Sequence, residues 1–430
     1  MNDRWLIAWG LASTSFGGAS LIIPLYVVQL GGTAATLGTM AALAAFLGVP
    51  GALIAGPYAD RGGRHRRVLL TSFVVVMAVL LTIPLIENIE IIVLSNAVIW
   101  FCFASVIPVL TLLAVAEEPE ARWSERIASL NKYQGVGWGI GLVIGAIASG
   151  LGSLWFATIT VQRILLVVYG LIAVVGILCG VRWLPTAQHP PAEFDPKRVR
   201  RAINRATRFN LRGVTFPITP ARIDPRAMNP RQFIDRFTPP LAAFFIAIVL
   251  CFAGFAAFFS PLPAFLADAQ LGDSDIFALY VLSSAAAAVC FSWAGTLAAS
   301  HGIFRVHTGA LTIRGIAFPV AAGIVTIIGI GSMGLIGLAI AFIGIGISWA
   351  IIIVTAGTLV TQLSPPTIRG ESLGMYGALM ALAGGIGSFV GGRLAVVDYI
   401  LAFTVAGGLV ILGAGIVVGI ASSGVDVKQR

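Results

Sequence analysis

GPYADRGGRHRR, Gly56 to Arg67, is the stretch that decides how this 430-residue chain is read. It is a basic loop between two long apolar runs. A related loop, GTLAASHGIFR, recurs at Gly295 to Arg305. Gly56, Ala59, Gly63 and Arg66 align with Gly295, Ala298, Gly302 and Arg305. A second set, Arg126, Ser129, Leu130 and Tyr133, aligns with Arg369, Ser372, Leu373 and Tyr376. Both sets share an offset of about 240 residues, so the chain reads as a duplicated unit.

What flanks the loops fixes the solvent. Hydrophobic residues make up 58% of the chain and charged residues 10%. Soluble domains carry about 25% charged residues, and disordered chains are polar, so both classes are excluded. A membrane-crossing helix needs about 20 mostly apolar residues. Twelve such stretches occur, at approximately 5–30, 34–56, 68–86, 90–115, 128–151, 160–183, 240–265, 274–298, 307–329, 333–360, 372–394 and 398–421. They are too long and too continuous for barrel strands. The first is also too long for the apolar region of a cleaved signal peptide. The expected fold is an all-α polytopic membrane protein with two pseudo-symmetric bundles of six helices. The expected domains are residues 1–183, a basic linker at 184–239, and residues 240–430.

Charge placement sets the orientation. Arg61, Arg64, Arg66, Arg67, Arg122, Arg126, Arg305 and Arg369 fall in alternate loops, and the middle segment adds PKRVRRAINRATRF. The opposite loops carry Glu87, Glu90, Asp268, Asp273 and Asp275. Positive-inside bias then places both termini in the cytoplasm of a cell membrane, with the linker near lipid headgroups. The net charge of +9 is therefore a topological signal, and no nucleic-acid partner is expected. Cys102, Cys179, Cys251 and Cys290 lie within apolar runs without a CxxC pair and read as packing residues.

Gly56, Asp60, Arg61, Gly63 and Arg64 resemble the loop signature G-x-x-x-D-R-x-G-R-[RK] of the major facilitator superfamily, with His65 and then Arg66 where a further base is usual. IPLYVVQLGG, Ile23 to Gly32, resembles the end of that family's first span, and RGESLGMYGALMALAGGIGSFVGG, Arg369 to Gly392, its eleventh. The resemblance implies a transporter of small molecules working by alternating access. It also implies a latch in which Asp60 meets the start of span eleven and Glu371, beside Arg369, meets a base from 61–66. Ala299 replaces the Asp in the second-half loop, so that latch is expected to be weaker.

The resemblance further implies that spans one, four, seven and ten line a central cavity. Ser13, Phe16, Asn96, Trp100, Phe255, Phe259, Ser348, Trp349 and Thr355 are its candidates. As a set they describe an aromatic, weakly polar site. Proton-coupled drug antiporters carry R-x-x-x-G in span four; Asn96 and Trp100 stand there instead, although Pro108 keeps its spacing. GAIASG, Gly145 to Gly150, and GSFVGG, Gly387 to Gly392, are relaxed copies of an antiporter packing motif. No carboxylate lies in the middle of a span, so the usual proton carriers are missing. Arg163, Arg314, Arg393 and Asp398 are the ionisable groups near membrane depth, and Arg393 and Asp398 are expected to pair. An anionic substrate would require a buried Arg or Lys.

The leading expectation is efflux of amphipathic or apolar compounds by a monomeric carrier, with a proton or sodium as the coupling ion. Uptake of a neutral solute such as a sugar is the second reading, and a receptor that has lost transport the third. Neither catalytic groups nor a metal or cofactor site is expected. His65, His189, His301 and His307 fall in loops or at span ends without ligand spacing, and no phosphate-binding G-x-x-x-x-G-K-[ST] loop occurs.

Overall fold

A computed structural model describes residues 3–60, 65–115, 123–184, 238–365 and 368–423. Among these residues there is no strand, and twelve helices are long and apolar enough to cross a membrane. In the first half they run Trp5–Gln29, Ala34–Asp60, His65–Thr82, Ile89–Val115, Trp123–Gly152 and Thr158–Trp183. In the second half they run Pro239–Phe259, Asp273–His301, Ile303–Gly323, Ser332–Leu363, Arg369–Val397 and Tyr399–Ser422. We number them as spans one to twelve. Of the expected basic linker at 184–239, residues 185–237 lie outside the described residues.

Span seven ends differently from the sequence expectation, and span nine changes helical form just before its expected end. Span seven, read as continuous to about residue 265, stops at Phe259 and restarts as a short helix, Leu262–Asp268. Pro261 and Pro263 supply no backbone N–H to the preceding turn, so the helix breaks where they enter. Span nine passes through a π-helical turn at Ile324–Ile328 and ends at Gly329, whose φ is +78°.

Helices hold together in lipid by close contact, because lipid tails are as apolar as Leu. Span six shows the resulting division. Ile164, Leu171 and Leu178 are exposed on one stripe, while Leu165, Leu166, Tyr169 and Ala173 are buried on the other. Such an apolar outer stripe belongs against acyl chains. Spans one and five cross at glycines: a methyl group at Gly141 would stand 2.2 Å from the Thr14 carbonyl oxygen. The second half repeats the crossing between spans seven and eleven, where a methyl group at Gly387 would stand 2.2 Å from the Ala253 carbonyl oxygen. The duplication read from the loops is thus repeated in the packing.

The halves meet chiefly through two equivalent pairs, span two against span eleven and span five against span eight, and the short helix Leu262–Asp268 also touches spans one and two. A pseudo-two-fold relation exchanges these pairs, because span two corresponds to span eight and span five to span eleven.

Candidate functional site

The halves close on each other at the end of the bundle opposite the chain termini. A methyl group at Gly38 would lie 2.5 Å from the Ser388 carbonyl oxygen and 2.8 Å from the Gly392 Cα. Across the pseudo-two-fold, a methyl group at Gly145 would lie 2.2 Å from the Phe277 ring. Ser274 Oγ donates to the Ala146 carbonyl at 2.9 Å, and Gln162 Nε2 donates to Asp273 Oδ2 at 2.8 Å. The GAIASG and GSFVGG segments therefore place glycines on the seam between halves. Sequence reasoning recognised the motif but had no means of finding its partners.

The Gln162–Asp273 bond is a charge-assisted bond across this seam, and Gln162 is 1% exposed. Bonds of this kind contribute about 1.5–3 kcal/mol net. Gln162→Leu is therefore expected to shift the equilibrium about tenfold or more toward opening at this end. The readout is the maleimide labelling rate of Ser149→Cys in a background without other cysteines, since Ser149 is buried beside the seam. An unchanged rate would remove Gln162 from the closure.

Polar anchors hold the same end within the first half. Arg163 pairs with Glu87 at 2.9 Å and donates through Nε to Tyr26 Oη at 3.2 Å. The expected Arg393–Asp398 pair does not form. Asp398 instead caps span twelve, accepting from the Leu401 backbone N–H at 2.6 Å, and the Arg393 guanidinium lies 5.0 Å from the Phe389 ring centroid. A free helix N-terminus satisfies a carboxylate without a cation, which explains the difference.

Toward mid-span, the candidate cavity residues fall into two aromatic clusters, one per half. In the first half Phe103 is central. It lies 4.5 Å from Phe16, 5.7 Å from Trp100 and 5.7 Å from Trp138, ring to ring. Asn96 and Ser13 are buried, and Ser13 Oγ, Gln134 Oε1 and Trp138 Nε1 have no hydrogen-bond partner. Trp138 lies on span five, outside the four cavity spans that the resemblance implies, so nothing in the sequence singles it out.

In the second half Trp349 lies 6.0 Å from Phe255 and 6.1 Å from Phe252. Phe255, Phe259 and Trp349 surround the Arg314 guanidinium of span nine. Trp349 Nε1 is buried without a partner. Two other candidates are occupied by structural bonds. Ser348 Oγ donates to the Ile345 carbonyl at 3.0 Å in its own helix. Thr355 Oγ1 lies 2.7 Å from His307 Nδ1 and donates to the Ile351 carbonyl at 2.6 Å. His307, read as a span-end residue, is 1% exposed.

At the end bearing the termini, the latch residues are only partly described. Gly56 and Asp60 close span two, whereas Arg61, Gly63 and Arg64 lie outside the described residues. Arg66 donates to the Val181 carbonyl of span six. Arg369 opens span eleven and is exposed, and Glu371 follows it in the first helical turn. Arg126, the repeat partner of Arg369, pairs with Asp3 at 2.8 Å.

Comparison with known proteins agrees with this architecture. No curated protein sequence matches the chain. A POT family transporter in complex with a thioalcohol-conjugated peptide has a similar fold, with a TM-score of 0.71 at 11% identity over 99% of this chain and 96% of the other. The nucleoside transporter NupG is similar with a TM-score of 0.67 at 14% identity over all of both chains. A bacterial homologue of the human lysosomal transporter Spinster, inward-facing and unoccupied, gives 0.65 at 15% identity over 97% and 94%. At these identities the likeness concerns the fold alone. The family model described as Major Facilitator Superfamily matches residues 5–388. With that match, a duplicated six-helix unit and a sealed seam between its halves, the chain belongs to the major facilitator superfamily of small-molecule transporters.

Proposed function

We propose that the protein exports amphipathic or apolar compounds across the cell membrane by alternating access, with both termini in the cytoplasm. The carrying observation is the pair of mid-span aromatic clusters, each holding buried polar atoms without partners. Rings such as Phe16, Trp100, Phe255 and Phe259 suit an apolar body, and the Ser13, Trp138 and Trp349 polar atoms suit a small number of polar groups. Repeat-built transporters bind near mid-membrane between halves that rock about the site. The two halves, residues 1–183 and 240–430, are the rocking bodies, the basic segment 184–239 ties them at the cytoplasmic face, and a proton or sodium gradient drives the cycle. The Asp60 loop latches that face when it closes, on the strength of the family resemblance.

Uptake of a neutral solute such as a sugar is the second reading. The absence of a mid-span carboxylate favours it, since that leaves a proton antiport mechanism without its usual carrier.

The test uses proteoliposomes loaded with a fluorescent amphipath, with the protein's orientation fixed by protease access to the linker. Transport from the cytoplasmic side outward supports export. Accumulation of a sugar in the opposite direction overturns it. Asp60→Asn is expected to lower the rate by about tenfold or more while the protein stays monodisperse, because its carboxylate loses the charge that holds the latch. Normal turnover in that variant would remove the latch from the account.

A further inference from the structure

Arg314 is 1% exposed and lies within span nine, which packs against spans ten and twelve. Its guanidinium reaches from there to span seven. The central carbon sits 4.5 Å from the Phe255 ring, 5.0 Å from Trp349, 5.4 Å from Phe259 and 5.6 Å from Phe318. Nη1 donates to the Ile345 carbonyl at 2.8 Å, and this carbonyl also accepts from Ser348. Nε has no partner. Among the described residues no carboxylate lies within ion-pair distance.

A guanidinium is permanently charged and carries five N–H donors. Charges at this depth are costly unless they are paired, and where they persist they mark a binding function. Ring faces offset part of the charge but accept no full hydrogen bond from Nε. Trp349, whose ring lies 5.0 Å from the guanidinium carbon, carries a second unpartnered donor, Nε1. Both groups donate, and both belong to a box whose walls are aromatic. An acceptor with negative charge, carried on an apolar body, fits every one of these features. A cationic head would meet a like charge, and a neutral one would leave the guanidinium uncompensated.

We propose that Arg314 is a specificity-determining residue that binds the carboxylate of an amphipathic organic anion, the apolar body lying against Phe255, Phe259 and Trp349. This rests on the transport reading above and narrows its substrate class. The box is occluded in the present conformation; Trp349 and Phe259, at 5% and 7% exposed, are its outermost members and must part for entry.

The test measures thermal stabilisation of the full-length protein in nonionic detergent and low-chloride buffer. The probes share one body and differ in the head: phenylbutyrate, phenylbutanol and phenylbutylamine. A ligand selective for the folded state raises the melting temperature. The acid is expected to bind about tenfold tighter than the alcohol, and the amine weakest, as a charge-assisted forked contact dictates. Arg314→Gln is expected to bring acid and alcohol to parity while alcohol binding persists. Arg314→Lys is expected to keep part of the preference, and it serves if the Gln variant does not fold.

Equal binding of acid and alcohol to the wild type overturns the anion inference and leaves the amphipath reading intact. So does a preference that survives Arg314→Gln. Stabilisation by potassium chloride alone that abolishes the preference assigns the cation to inorganic anions and also overturns it. Silence with all three probes counts against both readings.

Discussion

Gly38→Val should lower transport about a hundredfold while leaving a folded, membrane-inserted protein. The branched side chain must enter a space where a first carbon already stands 2.5 Å from the Ser388 carbonyl oxygen and 2.8 Å from the Gly392 Cα. Both obstacles are backbone on span eleven, so neither can rotate away. Span two carries this contact across the seam between halves, not within a bundle core. The clash is therefore relieved by separating the halves at this end. Each bundle keeps its own packing, and the expected result is a carrier held open opposite its termini. Transport is expected to fall by about a hundredfold, corresponding to roughly 3 kcal/mol of imposed bias against closure. Monodisperse elution with normal helicity and no counterflow would be the confirming set. Wild-type turnover would mean that this end need not close.

Gly141→Leu should act differently, by preventing the first bundle from assembling. Spans one and five cross where a carbon at Gly141 would stand 2.2 Å from the Thr14 carbonyl oxygen and 2.6 Å from the Gly18 backbone nitrogen. A methyl group at Gly17 on the opposite helix would itself meet the Trp138 carbonyl at 2.4 Å. The crossing therefore leaves no slack on either side. Overpacking of this kind costs about 1–3 kcal/mol where side chains yield, and more where only backbone is met. Loss of most of the monodisperse protein in detergent is expected, with Gly141→Ala less damaged. Together the two glycines distinguish a seam contact, which controls conformation, from a core contact, which controls folding.

The spans were legible because length and apolarity are local properties that lipid selects directly. The duplication was legible because GPYADRGGRHRR and its copy keep their spacing. The break at Ser260–Pro261 was written in the two prolines, yet apolar composition continues through it and masked the interruption. Which residue meets which was largely illegible. Arg314 stood in the sequence as one ionisable group among four near membrane depth, and nothing local shows that Phe255, Phe259 and Trp349 converge on it. Thr355 read as a cavity hydroxyl, but its partner His307 lies 48 residues away. Asp398 read as a partner for Arg393, but the nearer Leu401 N–H of its own helix took it. Phe16 and Trp100 were identified as aromatic, and the structure brings both onto Phe103.

If the two halves rock as bodies, opening at one end accompanies closing at the other. Spin-label distances at both ends measure it directly. With Cys102, Cys179, Cys251 and Cys290 replaced, one label pair is placed at Leu154 and Val397, exposed at the end opposite the termini. The other is placed at Arg182 and Ser300, exposed at the end bearing them. Introducing Gly38→Val in lipid nanodiscs is expected to lengthen the first distance and shorten the second. A longer first distance with no change in the second would show a local gate and rule out rocking of the halves.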